Sequence, residues 1–264
     1  MTRITIGQYY PSNSAIHRVD PRLKLLGTMF YITALFFVNH FVGYGVAALF
    51  IFGLVKMARV PVLFLLRGLR AVLFILSFAV LLNLFMTPGE PIFAIGFIRV
   101  TMEGVIMAAQ MGLRLVLLIT GSSILTLTTS PIQLTDGIEA LLRPLKIIKV
   151  PAHDIAMMMT IALRFIPTLA EEMDKIMKAQ KARGAELDTG GLFKRAKSML
   201  PILVPLFVSA FKRADELATA MEARCYRGDV GRTRMKIMRL SGTDWIAAGV
   251  FVVFGVLLFL TRML

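Results

Sequence analysis

Two Ala-Arg pairs are the residues of this sequence best suited to recognition chemistry. They occur in Ala182-Arg183-Gly184 and in Ala223-Arg224-Cys225. A glycine just past a helix favours the left-handed turn that ends it, and the helix dipole stabilises a cation in the last turn. An arginine at such an end presents a planar set of donors that matches a carboxylate. The pattern predicts two helix ends that bind acidic groups on another protein.

A simpler interpretation is that each arginine only terminates its helix. The dipole favours a cation there even when no partner is present. The two arginines are 41 residues apart, at 183 and 224, and prolines precede both pairs, at Pro167 and at Pro201 and Pro205. This repetition favours a shared function, although it does not name the partner.

The sequence offers no catalytic or cofactor-binding constellation. The three histidines, His17, His40 and His153, fall on separate predicted loops and helix starts, which disfavours a shared metal site. Glu171 and Glu172 are sequence neighbours that do not face each other on a helix, so they fit a solvated face better than an acid-base pair. The phosphate-binding and dinucleotide-binding glycine motifs and His-Glu-x-x-His are absent, and a single cysteine excludes a disulfide framework. We therefore expect no catalytic residues, no metal and no cofactor.

Two amphipathic helices between residues 153 and 228 carry the Ala-Arg pairs. Each has an apolar residue every three or four positions, which places those residues on one helical face. The first stripe is Ile155, Met158, Ala162, Phe165, Leu169, Met173 and Ile176, and the second is Phe193, Leu200, Val204, Phe207, Phe211, Leu217 and Met221. Charged residues crowd both helices and would be costly in hydrocarbon, so we expect the helices outside the bilayer core or at its surface.

The rest of the chain has the composition of an integral membrane protein. Hydrophobic residues make up 57% of the sequence, which is too apolar for a soluble domain of this length. The net charge of +14 is compatible with nucleic acid, but it is explained more simply by cationic cytoplasmic loops that face an anionic membrane or an acidic partner. We expect no nucleic-acid partner. No cleavable signal peptide is expected, because the first apolar run follows more than about twenty polar residues.

Apolar runs predict an all-α, polytopic membrane protein with about five transmembrane helices. Asp20-Pro21 predicts a helix start, and the runs cover residues 25–38, 41–55, 71–86, 101–127 and 245–260. The first two runs are each shorter than a usual span, so they are either two tight spans joined near Asn39-His40 or one long tilted helix. A turn cluster is predicted at residues 87–91.

These runs give four segments along the chain. Residues 1–24 form an N-terminal segment, 25–129 the first four transmembrane helices, 130–243 the coupling helices and 244–264 a last transmembrane helix. Most basic residues lie within 130–243, so the positive-inside tendency places this region and the N-terminus in the cytoplasm.

Two features leave alternatives open. Glu103 and Arg114 fall within a predicted span, where an ionisable residue is a functional or pairing candidate, and Arg114 either pairs inside the bundle or faces a partner. Seventeen methionines either fill the core or form an adaptable binding surface.

Three motifs extend over nearly the whole chain. They are Ile6-Gly7-Gln8-Tyr9-Tyr10-Pro11 followed by Ser14-x-x-His17-Arg18-x-Asp20-Pro21-Arg22-x-Lys24-Leu25, then Arg164-Phe165-Ile166-Pro167 leading through Glu171 and Ala179-Gln180 to Ala182-Arg183-Gly184, and Ala220-Met221-Glu222-Ala223-Arg224-Cys225-Tyr226. In these motifs the chain resembles the T component, the transmembrane scaffold, of energy-coupling factor vitamin transporters. It departs from the family at Cys225, where glycine is usual, so closure of the second helix end is expected to differ.

The resemblance implies a non-catalytic subunit of a multi-pass importer in the bacterial cytoplasmic membrane. Its two Ala-Arg ends would dock into two ATP-binding subunits, of the A and A′ type, and Arg183 and Arg224 would pair there with acidic groups. The membrane helices and the apolar face of the coupling helices would hold one or several substrate-binding S components. The length and N-terminal motif resemble the shared scaffold for several vitamins more than the dedicated cobalt or biotin versions.

Two other classes of function remain as rivals. A self-contained channel or secondary transporter would use Glu103 and Arg114 and would work without nucleotide. An intramembrane enzyme would need a nucleophile or a metal set at membrane depth, and the sequence shows neither.

Overall fold

The computed structural model describes residues 9–89, 91–95, 98–185, 191, 197–228 and 240–263. Contacts divide the chain into two compact units. The bundle unit comprises the described residues within Gly7–Leu141 and Ile237–Leu264, and the paired-helix unit comprises those within Leu142–Lys236. Phe193, which belongs to the second predicted stripe, and the opening Ile6-Gly7-Gln8 of the first motif lie outside the described residues.

The bundle unit is built almost entirely from helices. These are α1 (Ala15–Arg18), α2 (Pro21–Phe36), α3 (Phe41–Ala58), α4 (Val62–Met86), α5 (Met102–Thr128), α6 (Pro131–Leu142) and α9 (Gly242–Met263). Between α4 and α5, strands β1 (Pro91–Ile95) and β2 (Ile98–Thr101) pair antiparallel. The paired-helix unit contains a 3-10 helix (Arg143–Ile148), α7 (Ala152–Ala182) and α8 (Leu200–Ala223).

The starts of α2 and α9 and the end of α5 meet in a buried polar cluster. The Asp20 side chain accepts the Arg22 N–H and caps α2, as predicted, while the Asp20 N–H donates to Oδ1 of Asp244 over 2.7 Å. The Lys24 amine donates to the Thr128 carbonyl over 3.0 Å. Because every one of these groups is bonded, the cluster can stay buried and fix three helix ends together.

A second polar cluster lies at the other end of α2. The Arg114 guanidinium of α5 donates to the Val38 carbonyl over 2.9 Å and to the Tyr44 hydroxyl over 3.1 Å. Gln110 donates to the Asn39 carbonyl over 2.9 Å. The turn between α2 and α3 leaves carbonyls without helical partners, and these two side chains satisfy them. Of the two alternatives for Arg114, the structure therefore shows pairing inside the bundle.

The two clusters define how α5 runs past its neighbours. Helix α2 runs antiparallel to α5 from Lys24 to Val38, a rise of about 21 Å at 1.5 Å per residue. Beyond Arg114, α5 continues back to Met102 for about another 18 Å. There it packs on α4, where a Cβ at Gly104 would lie 2.9 Å from the Leu84 carbonyl oxygen. Arg114 is thus level with the α2–α3 turn.

Aromatic residues fill the centre of the bundle unit. The Tyr31 ring is buried beside Gly121, and its hydroxyl donates to the Leu117 carbonyl over 3.1 Å. Phe50 and Phe254 stack with ring centroids 4.1 Å apart. The buried hydroxyl has a partner, so the ring adds apolar contact without an unsatisfied group.

The all-α, polytopic class predicted from the sequence is confirmed. Among the described residues, three helices are long and apolar enough to cross a membrane, namely Phe41–Ala58, Met102–Thr128 and Gly242–Arg262, and the bent pair Val62–Arg70 and Val72–Met86 gives a fourth if it is one span. Helix α2 has 16 residues and is shorter than these, so the fifth span stays a prediction. The α2–α3 break supports two helices rather than one long tilted helix.

Two local features differ from the sequence prediction. Helix α4 begins at Val62 rather than near residue 71, because arginine is a good helix former and Arg67 and Arg70 stay helical. The helix bends by 61° between Arg70 and Val72, close to the predicted start. Strands β1 and β2 pair antiparallel in a stretch for which the sequence predicts only the preceding turn at residues 87–91. The β-branched and aromatic residues of this stretch favour strands, so its composition is the feature that indicates the strand pair.

Candidate partner-binding helix ends

Helix α7 ends in a closed turn at the first Ala-Arg pair. The Gly184 N–H donates to the Lys181 carbonyl and the Ala185 N–H to the Gln180 carbonyl, each over 3.0 Å. Gly184 has φ +83°, in the left-handed region. These two bonds form the Schellman motif, which satisfies carbonyls left over at the helix end. The glycine predicted to close this helix does so.

Helix α8 ends with the same pair of hydrogen bonds. The Cys225 N–H donates to the Glu222 carbonyl over 2.9 Å, and the Tyr226 N–H donates to the Met221 carbonyl over 3.0 Å. Cys225 has φ 54° and occupies the position that Gly184 takes in α7. The expected difference in closure is therefore not found, since cysteine adopts the left-handed conformation at some energetic cost.

Both arginines are exposed at the last turns of their helices. Arg183 and Arg224 are the C-cap residues of α7 and α8, and Ala182 and Ala223 are the last helical residues. Within the described part of the chain, no carboxylate forms an ion pair with either guanidinium. An exposed guanidinium at a helix end keeps its donors available for a carboxylate on another molecule.

The two helices run antiparallel. Gln180, near the end of α7, donates to the carbonyl of Pro201 at the start of α8 over 3.3 Å. At the opposite end, the His153 ring is 3.5 Å from the Tyr226 hydroxyl. Arg183 and Arg224 therefore lie at opposite ends of the helix pair and cannot share one acidic site.

An ion pair joins the middles of the two helices. Arg213 Nη2 donates to Oε2 of Glu172 over 3.0 Å, and the Ser209 hydroxyl donates to Oε1 of the same carboxylate. We call these three residues the inter-helix brace. The sequence predicts Glu172 on a solvated face and does not predict this role, because the partner Arg213 lies 41 residues away along the chain.

The predicted apolar stripe of α8 faces outward over its first half. Val204, Phe207 and Phe211 are 59%, 62% and 73% exposed. On α7, Met158 is exposed as well, whereas Phe165, Leu169 and Met173 are half-buried. Monomeric soluble proteins rarely expose contiguous apolar surface of this kind, which marks it for contact with lipid or with another protein.

Of the remaining candidate residues, His17 and Glu103 have local contacts, whereas His40 is exposed and makes no capping hydrogen bond. Both His17 ring nitrogens are in hydrogen bonds, one with Ser14 Oγ over 2.7 Å and one with the Tyr10 carbonyl over 2.9 Å. His40 is the N-cap residue of α3. Glu103 lies in the first turn of α5, with its carboxylate packed against Gly89. The structure does not bring the histidines together, and the described residues contain no cluster of three potential metal ligands.

The fold and the helix ends together define an all-α membrane protein with a pair of charged helices that each end in an exposed arginine. A family model described as "Cobalt transport protein" matches residues 12–237. Proteins named "Energy-coupling factor transporter transmembrane protein EcfT" are similar over nearly the full length of both chains. The one from Ruminiclostridium cellulolyticum is 55% identical, covering 95% of this chain and 94% of its own. The one from Clostridium kluyveri is 57% identical, covering 93% of this chain and 92% of its own. The one from Bacillus subtilis is 47% identical, covering 99% of both chains.

The chain belongs to the family of energy-coupling factor transporter transmembrane proteins. It is a membrane component of a transporter, as the motifs of the sequence predicted.

Proposed function

We propose that this chain is the scaffold and coupling subunit of an energy-coupling factor importer. It transmits motion from two ATP-binding subunits, of the A and A′ type, to a substrate-binding S component that takes up a vitamin or other micronutrient. The observation that supports this most is the pair of exposed arginines, each at an identically closed helix end and at opposite ends of an antiparallel pair. Two such ends suit two separate docking grooves.

Each helix end would bind one ATP-binding subunit. Arg183 and Arg224 would pair with carboxylates in a groove, and a bidentate pair of this kind fixes orientation as well as affinity. Ala182 and Ala223 carry small side chains that let the groove wall approach closely, while Gly184 and Cys225 close the ends. Hydrolysis would take place in the partners, and the chain would contribute no catalytic residue.

The exposed apolar stripe on α8 would hold the S component. Val204, Phe207 and Phe211 offer a surface that buries apolar area without demanding a precise set of polar partners. Such a surface fits a scaffold shared by several S components, and substrate selectivity would then reside in the S component. The paired helices and the N-terminal segment would lie on the cytoplasmic side of a bacterial cytoplasmic membrane, with the apolar helices spanning it.

Arginine substitution at the two helix ends tests this function. In the double variant Arg183→Ala and Arg224→Ala, we expect the ATP-binding subunits to be lost on purification, or to hydrolyse ATP without uptake. Lys212→Ala removes an exposed cation from the body of α8 and is the matched control, which should behave as wild type. The measurements are subunit stoichiometry after purification and ATP-dependent uptake in vesicles. A double variant with a full complex and full uptake would contradict the proposal.

A further inference from the structure

We infer that the inter-helix brace of Glu172, Ser209 and Arg213 is a positioning element that makes α7 and α8 move as one body. This inference rests on the proposed function, since it concerns how movement at the two arginine ends reaches the rest of the protein. The brace lies about 16 Å from either arginine and contacts neither of them. It therefore acts through the helices rather than on a partner.

The carboxylate of Glu172 is held by both of its oxygens. Oε2 accepts from the Arg213 guanidinium over 3.0 Å, and Oε1 accepts from the Ser209 hydroxyl. The side chains of Arg213 and Glu172 are 34% and 26% exposed, so the ion pair is partly shielded from solvent. A carboxylate fixed at two points restricts sliding of one helix along the other more than a single contact would.

The position of the brace is symmetric with respect to the two arginine ends. Glu172 and Arg213 are 41 residues apart, and so are Arg183 and Arg224. Glu172 therefore precedes Arg183 on α7 by the same number of residues as Arg213 precedes Arg224 on α8. In an antiparallel pair with that offset, the Glu172–Arg213 contact lies halfway between the two ends. Each end is then the same distance, about 16 Å, from the brace along its own helix.

A central contact of this kind decides whether the two ends move together. When the brace is formed, displacement of either helix end turns both helices about the same point. When it is broken, the other hydrogen bonds described between the helices, Gln180 with Pro201 and His153 with Tyr226, lie towards the ends of the pair. Each helix then follows its own ATP-binding subunit, and hydrolysis continues without productive movement.

Charge reversal at the brace tests the inference. Glu172→Arg alone and Arg213→Glu alone each place like charges together, so we expect uptake per ATP hydrolysed to fall about tenfold while both ATP-binding subunits remain bound. The double exchange, Glu172→Arg with Arg213→Glu, restores an ion pair and should recover most of the uptake. Arg183 and Arg224 are intact in every variant, so binding of the partners is the internal control.

Neighbouring residues provide matched controls for charge. Glu171→Arg and Lys212→Glu make the same charge changes one position away, on exposed side chains, and should leave coupling unchanged. Any of three results would overturn the role of the brace. The single reversals could leave uptake per ATP unchanged, they could lower it only as much as the control variants do, or the double exchange could fail to recover it. A different result would show that the proposed function itself is wrong, namely transport by the wild-type protein without ATP-binding subunits. That result would overturn both the proposed function and the role of the brace.

Discussion

Cys225 closes the end of α8 at a position that glycine normally occupies. Its φ of 54° and its hydrogen bond to Glu222 reproduce the geometry of Gly184. A side chain in the left-handed region crowds the following carbonyl, which costs about 1 kcal/mol. The sequence predicted a helix end here from the Ala-Arg pair, but it could not predict that the turn would keep the glycine geometry without glycine.

Replacement of Cys225 by glycine should stabilise the protein. We expect Cys225→Gly to raise the free energy of unfolding by about 1 kcal/mol, since it removes the backbone cost of the left-handed turn. The measurement is reversible unfolding of the purified chain in detergent. Gly184→Cys is the converse control and should lower stability by a similar amount. Equal stability of Cys225→Gly and wild type would show that the second helix end carries no backbone cost.

At the scale of elements, apolar periodicity predicted most helices and their ends. The runs gave α2, α3, α5 and α9, and the two stripes gave α7 and α8 with their Ala-Arg ends. Contacts between elements were not predictable in the same way. The Arg114 donors bind Val38 and Tyr44, which are distant in sequence and whose proximity depends on how three helices pack. The antiparallel pairing of α7 and α8 is unpredictable for the same reason.

Helices α2 and α5 pack closely at Gly121. A Cβ at this position would lie 2.4 Å from the Tyr31 ring, so Gly121→Ala should separate the helices and lower the free energy of unfolding by about 1–3 kcal/mol. Stability in detergent and ATP-dependent uptake are the two measurements. Gly53→Ala on α3 meets no atom within 4 Å and is the matched control.

A second substitution separates crowding from other effects of the added methyl. Tyr31→Leu in the Gly121→Ala background removes the ring that the new Cβ would meet, so it should recover part of the lost stability. Stability of Gly121→Ala equal to that of Gly53→Ala would contradict the close approach of α2 and α5.

At the scale of the whole molecule, the two compact units have different surface chemistry. The bundle unit presents apolar helices, and its buried residues Asp20, Lys24 and Asp244 are hydrogen-bonded within the unit. The paired-helix unit presents two exposed arginines and an apolar stripe that nothing in the described chain covers. We expect these charged and apolar surfaces to contact other proteins or lipid, which agrees with membership in a family of transporter components.

Under the proposed function, the two arginine ends meet two different ATP-binding subunits. A photo-cross-linking amino acid placed at Ala182 or at Ala223 keeps both arginines and samples each end separately. In the assembled complex, we expect the first position to capture one ATP-binding subunit and the second to capture the other, while the same probe at the exposed Leu49 of α3 captures neither. Capture of the same subunit at both helix ends, or of none at either, would contradict the account.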